Sequence, residues 1–258
     1  MNPGNMNSHI QMPRFLLTRF ENENHSFFYY DIKKRYIGTN GHAKSMYTER
    51  GYYPDAIEKY LNNELEQPFS QFLQFVDSIL DKPSFEMTNV DDNTIKQFMA
   101  SLIIRSPLFI DSLKNNSLFF QFLSPTDQHT IAVARGMEES QKKKIFADYR
   151  ASFTVNETNK PFILPISGLY YYKLNKYTHV SLPISPTVAI TLIESAGVPF
   201  LENEGITRMY RITQEKHVVE FNRFAFLQQC KQGYGYVISP TRDALEELLP
   251  LCEQTTKN

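Results

Sequence analysis

The chain has no tryptophan, only two cysteines in 258 residues, and no excess of either charge. Each absence removes a class of function. Cys230 and Cys252 form no CxxC pair and have no histidine cluster nearby, whereas a structural zinc site needs about four ligands. They read as two reduced thiols of a cytosolic protein. A formal net charge of −1 supplies no global basic field, so there is no strong nucleic-acid signal. No stretch reaches the ~18 apolar residues of a membrane helix. The opening MNPGNMNSHIQMPRF lacks the basic-then-apolar pattern of a secretory signal, and the expected location is the cytoplasm. Phosphate-binding glycine loops, HExxH, GxSxG and kinase signatures are all missing. The six histidines never fall at metal-ligand spacing, and no cofactor, metal or oligomeric state is assigned.

What is present is aromatic. Twenty Phe and fifteen Tyr, within a 41% apolar composition, describe a folded chain with a core of packed rings. Residues 27–32 (FFYYDI) read as a strand, Lys33, Lys34 and Arg35 as a turn, and a return strand follows from Tyr36. From Pro54 the apolar positions Leu61, Leu65, Phe69, Phe72, Val76 and Ile79 mark one face of a helix that Pro68 should kink or split. A second helix starts at the cluster 91–94 (DDNT) and ends at Ser106 and Pro107. Further helical pieces are expected over 110–123 and from Ser124 to about Arg150. Strands are then expected at 152–155, 162–166, 169–174, 179–183, 188–193 and 209–213, with a hairpin around Asn175 and Lys176. The segment 195–206 reads as a loop, 217–231 as a helix, 234–238 as a strand, and Ser239 and Pro240 open a last helix. The order predicts an α+β fold: a helix-rich first half with a short aromatic hairpin, followed by a mostly antiparallel sheet and two late helices. Without a Gly-, Ser- or Pro-rich linker the chain reads as one globular domain of two lobes, 1–150 mainly helical and 151–258 sheet plus helices.

Arg105 is the most informative single residue. It lies three positions after Leu102 and seven after Phe98, on the apolar face of its helix. A guanidinium cannot lose its proton, so facing inward it must snorkel, pair with a carboxylate or hold a ligand anion. Glu58, three residues before Leu61, and Glu66, beside Leu65 and close to Pro68, are its natural partners. The bland alternatives are an internal ion pair for Arg105 and solvated glutamates for the others. His9 is usable as an acid or base at neutral pH, although a lone histidine near a terminus usually carries no chemistry. Asn222, four residues after Val218, borders the core and needs hydrogen-bond partners, either as a core amide or as a ligand contact. The run FFYYDIKKRY is better read as a core hairpin with a charged turn than as a base-stacking platform.

These stretches together resemble the bacterial domain-of-unknown-function family 4238. The resemblance rests on His9, Pro13, Phe15, Leu16, Leu17 and Phe20; on Phe28, Tyr29, Tyr30 and Asp31; and on Tyr47 and Thr48. It continues through Glu58 and Glu66 around Leu61, through Arg105, Ser106 and Pro107, through Leu182, Pro183, Ser185 and Pro186, and through Asn222. Two departures matter. His9 lies four residues before its proline where three is usual in the family. The family's Phe-aliphatic-x-Ser-Asp-x-Pro motif appears here as Phe162, Ile163, Leu164, Pro165, Ile166 and Ser167, without the aspartate. If that aspartate is catalytic elsewhere, this member is inactive or uses another group.

Two expectations follow. In the first, His9, Glu66, Arg105 and Asn222 form an enzyme-like pocket for a phosphate-bearing substrate, a nucleotide or nucleic acid, with Arg105 neutralising negative charge. His9 or Glu66 would handle protons and Asn222 would orient the substrate. In the second, the chain is a non-catalytic ligand- or protein-binding module of a bacterial stress or anti-phage system. A purely structural subunit has no repeat or coiled-coil signal behind it.

Overall fold

The computed structural model describes residues 7–197 and 206–251. Cys252 and most of the loop expected over 195–206 lie outside the described residues. In chain order the elements begin with β1 (Asn7–His9), α1 (Arg14–Thr18), β2 (Phe27–Asp31), β3 (Tyr36–Gly41) and β4 (Thr48–Arg50). Then come α2 (Asp55–Tyr60), a π-helical segment (Leu61–Glu66), α3 (Gln67–Asp77), β5 (Ser84–Glu86) and α4 (Asn89–Ile104). They continue with α5 (Pro107–Asn116), α6 (Leu118–Gln121), α7 (Pro125–Lys143), β6 (Tyr149–Asn156), β7 (Leu164–Pro165) and β8 (Tyr170–Leu174). The last are β9 (Tyr177–Ser185), β10 (Val188–Glu194), β11 (Ile206–Ile212), α8 (Glu215–Gln232), β12 (Tyr236–Ser239) and α9 (Asp243–Glu246). The fold is α+β, as the order of patterns predicts.

The chain divides into two compact units, each assembled from three segments. Unit 1 takes Met1–Pro13, Tyr47–Ser78 and Asn89–Ala147; unit 2 takes Arg14–Met46, Ile79–Thr88 and Asp148–Asn258.

Unit 1 is a helical body with one short antiparallel ribbon, β1 on β4, in which His9 faces Thr48. Its core gathers Tyr52, Tyr53, Leu61, Leu65, Ile104, Val133 and Met137. Phe69 of α3 stacks on Phe98 of α4 with ring centroids 3.9 Å apart, which ties two expected apolar stripes together. α4 and α7 approach so closely at Gly136 that a Cβ there would stand 2.5 Å from Ile104 Cγ2.

Pro68 acts one turn earlier than a simple kink. It has no N–H to return to the carbonyl of Glu64, and its ring crowds that carbonyl. The helix widens before it, and the Gln67 N–H reaches back five residues to the Asn62 carbonyl. At the other boundary, Arg105 follows the last residue of α4. Ser106 caps α5 by accepting the Phe109 N–H at 3.2 Å, with Pro107 in the first turn. The expected helix over 110–123 is two pieces, broken at Ser117, whose backbone is extended. α7 stops well short of Arg150 because Lys144 turns left-handed at φ 46° and the Ile145 N–H closes on the Ser140 carbonyl.

The described residues of unit 2 form two sheets. One runs β5-β11-β6-β10-β9-β8, antiparallel except for the parallel pair β11 and β6. The other runs β3-β2-β12-β7, so the early aromatic hairpin pairs with a strand from the end of the chain. α8 contributes Ala225 and Phe226, α9 Leu245, and the turn after it Leu248, to a core with Tyr30, Ile163, Tyr170 and Val237.

Candidate functional site

The chemistry-bearing residues of unit 1 meet around Arg105. Its side chain is 3% exposed, and Nη1 donates to Glu66 Oε1 at 2.7 Å. Nη2 donates to the backbone carbonyl of His9 at 2.9 Å. The guanidinium carbon lies 5.9 Å from the centroid of the Tyr53 ring. The Tyr53 hydroxyl in turn donates to the Ile10 carbonyl at 3.0 Å. The end of β1 thus delivers two consecutive carbonyls to the site, one to the arginine and one to the tyrosine. Arg105 Nε is buried and has no hydrogen-bond partner.

The π-helical segment carries Glu66 to Arg105, and Glu58 feels the same guanidinium through its charge. Glu58 belongs to α2 and Glu66 closes the widened turns, while Leu61 and Leu65 between them are buried. Such turns often accompany functional sites. Glu66 is 20% exposed, and Glu58 and His9 are half-buried. Glu58 Oε1 is buried without a partner.

Burial pushes the Glu58 carboxyl above its ordinary range; a hydrogen bond from Ser8 and the charge of Arg105 oppose this, and Glu66 and Asp55 add to it. Glu66 is held as the counter-charge of Arg105. Burial works against the Arg105 charge, but Glu66 and Tyr53 together outweigh it, and the guanidinium stays ionised. Burial also raises Tyr53, which keeps its proton although Arg105 pulls the other way.

A histidine outside the expected set adjoins this cluster. The His129 ring on α7 stacks on Tyr52 at 3.8 Å and meets Tyr53 edge-on at 6.4 Å. Burial lowers its pKa, against a hydrogen bond to the Tyr52 backbone, and its Nδ1 is buried without a partner. Ser8, Tyr52, Tyr53 and His129 were not singled out by the sequence. A signal for His129 was available: it precedes the buried Val133 and Met137 by four and eight residues, on one helical face.

Of the four residues singled out as a site, the structure brings together Arg105, Glu66 and His9, the last through its backbone carbonyl. Asn222 belongs to unit 2. There its Nδ2 donates to the Pro161 carbonyl at 2.9 Å and its Oδ1 accepts the Ile163 N–H at 3.1 Å. Among the described residues, no three or more His, Cys, Asp or Glu gather as a metal site, and no helix is long and apolar enough to cross a membrane.

These features define a class: an α+β protein with a polar cluster set around one buried arginine. The particular family is shown by a family model, described as a protein of unknown function (DUF4238), that matches residues 11–243. The chain belongs to that family. No match is found among curated proteins or among solved structures.

Proposed function

We propose that unit 1 carries an enzyme-like site for a phosphate-bearing substrate, a nucleotide or nucleic acid, held at Arg105. One observation carries this reading: a buried guanidinium keeps its Nε–H without a partner, and Glu58, on which its charge acts, also has a bare buried oxygen. A buried unsatisfied polar group costs about 1–3 kcal/mol, and a ligand oxygen removes that cost. Glu66 orients the guanidinium, and Arg105 offers its remaining donors to the phosphate. Glu58, whose carboxyl burial pushes above its ordinary range, is the group suited to moving a proton. His129, neutral above mild acid, is a second base within the same cluster. The protein is taken to act in the cytoplasm of a bacterium, with a small molecule or nucleotide as its ligand.

The test is calorimetric titration with AMP, read beside a thermal melt. Arg105→Lys keeps a positive charge but removes Nε–H and the fork, and AMP affinity should fall at least about tenfold. Glu58→Gln should retain binding and lose turnover. Unchanged AMP affinity in a folded Arg105→Lys variant, or no AMP binding by the native protein, overturns the reading.

A second reading is a non-catalytic ligand- or protein-binding module in a stress or anti-phage system. It is favoured by the stretch where the family pattern carries Ser-Asp. Here Phe162, Ile163, Leu164 and Ile166 are all fully buried apolar residues. Ligand binding with no turnover in any variant supports it over the first.

A further inference from the structure

The charges around Arg105 set a condition on any phosphate that binds there, and this argument rests on the reading above. Among the described residues Arg105 is the one guanidinium in the cluster, and Glu66 already neutralises it at 2.7 Å. With Glu58 ionised, an incoming oxyanion would face a site carrying one net negative charge. Such a ligand would also be an acceptor meeting an acceptor at Glu58 Oε1. The two bare buried atoms, Arg105 Nε and Glu58 Oε1, call for different partners: the first donates, and an ionised carboxylate only accepts. A single oxyanion satisfies both only if a proton lies between it and Glu58.

We infer that this site takes up its phosphate together with one proton, shared between the ligand and Glu58, while Arg105 Nε–H donates to the same phosphate. The proton removes the net charge and turns the repulsive contact into a short hydrogen bond of the charge-assisted kind.

The groups that act on Glu58 are consistent with it as the titrating group. Arg105 reaches it from the junction of α4 and α5, Glu66 from the π-helical turns, Asp55 from the first turn of α2, and the Ser8 hydroxyl from β1. Tyr53 lies ahead of α2 and keeps its proton. His129 from α7 stacks on Tyr52, and its ring is neutral above mild acid, so it adds no charge near neutral pH. His9, half-buried at the end of β1, meets Arg105 through its carbonyl. Without ligand, burial favours the neutral form of Glu58 and Ser8 and Arg105 favour the ionised one. A bound phosphate adds negative charge beside Glu58 and moves the balance further toward the proton.

The sign of the linkage is fixed by this. Above the pKa of Glu58, each unit of pH removes about tenfold of the protonated form that binds, so phosphate affinity falls about tenfold per unit. AMP is the probe, titrated above about pH 7, where its phosphate has lost its last proton and the slope belongs to the protein. Calorimetry in two buffers of different ionisation enthalpy should also report uptake of about one proton. Glu58→Gln replaces the shared proton by an amide N–H present at every pH. Its affinity should be flat over the range and exceed that of the native protein at the alkaline end.

A falling native affinity with a flat Glu58→Gln line supports the inference. A flat native line overturns it while leaving AMP binding, and so the broader reading, in place. A Glu58→Gln line that falls like the native one places the proton elsewhere and also overturns it. Absence of AMP binding at every pH removes both. Inorganic phosphate near about pH 7 separates a free oxyanion from a nucleotide as the ligand, since only the latter gains from its nucleoside.

Discussion

At the scale of single residues, the ion pair between Arg105 and Glu66 is asymmetric. Arg105 is 3% exposed and Glu66 20%. A partly exposed carboxylate that loses its partner can rehydrate; a buried guanidinium cannot. Removing Glu66 therefore strands a buried charge, which typically costs about 3–5 kcal/mol. Arg105→Met removes the buried charge together with its donors, and the loss is limited to the hydrogen bonds to Glu66 and His9, about 1–3 kcal/mol. Urea denaturation should rank Glu66→Ala as the less stable of the two variants. The reverse order would mean that Arg105 is already hydrated in the fold. The inward direction of Arg105 was legible because helical spacing from Phe98 and Leu102 fixes it. The partners were legible only in part. Glu66 could be chosen for its nearness to Pro68, but the use of His9 through its carbonyl could not be read. Side-chain identity says nothing about where a backbone oxygen points, and the contact spans 96 positions of sequence.

At the scale of elements, local signals were reliable wherever the chain satisfies its own backbone. The hairpin around Asn175 and Lys176 is an example: β8 and β9 pair from Leu174 opposite Tyr177, and both turn residues have positive φ, 49° and 69°. Two left-handed central residues fit a type I′ turn, whose favoured second residue is glycine. Lys176 adopts this conformation at a cost that glycine avoids. Lys176→Gly should stabilise the chain by about 0.5–1 kcal/mol, visible as a higher denaturation midpoint with an unchanged slope. A loss of stability would show that the approach of Lys176 Nζ to the Tyr177 ring, 5.5 Å from its centroid, outweighs the backbone strain. The strand expected over 162–166 shows the opposite case. Only Leu164 and Pro165 pair as a strand; the Ile166 N–H still reaches the Tyr236 carbonyl of β12, but the N–H groups on either side go elsewhere. The Ile163 N–H goes to Asn222 and the Ser167 N–H to Gln229, both on α8. The apolar run looked like a strand because it is buried, but two helix amides seven residues apart replace the missing ladder. Asn222 was recognisable as a polar residue at the core. Its use as a backbone clamp depended on a segment 59 positions away.

At the scale of the whole molecule, neither unit is a continuous stretch of chain. The aromatic hairpin of residues 27–41 sits in unit 2, although it precedes most of unit 1 in sequence. β12 lies between β2 and β7, with Ile238 opposite Tyr29 on one side and Leu164 on the other. β5, from the short excursion Ile79–Thr88, completes the edge of the six-stranded sheet by pairing with β11. Composition and periodicity cannot reveal this interleaving, because a strand carries its pattern but not the identity of its neighbour. The arrangement has a consequence for dissection at the change from helices to strands. A fragment of residues 148–258 holds most of unit 2 but lacks β2, β3 and β5. It would expose the β2-facing edge of β12 and remove Tyr30 and Ile32 from the core around Phe226. A sheet edge opened in this way invites self-association in place of folding. The fragment should therefore aggregate, or give collapsed amide dispersion by NMR, and co-expression with a segment covering 14–88 should restore part of the sheet signal. A monomeric fragment with well-dispersed amides and a cooperative melt would show that the late strands and α8 suffice alone. Residues 14–46 would then be an addition to unit 2 and not part of its framework.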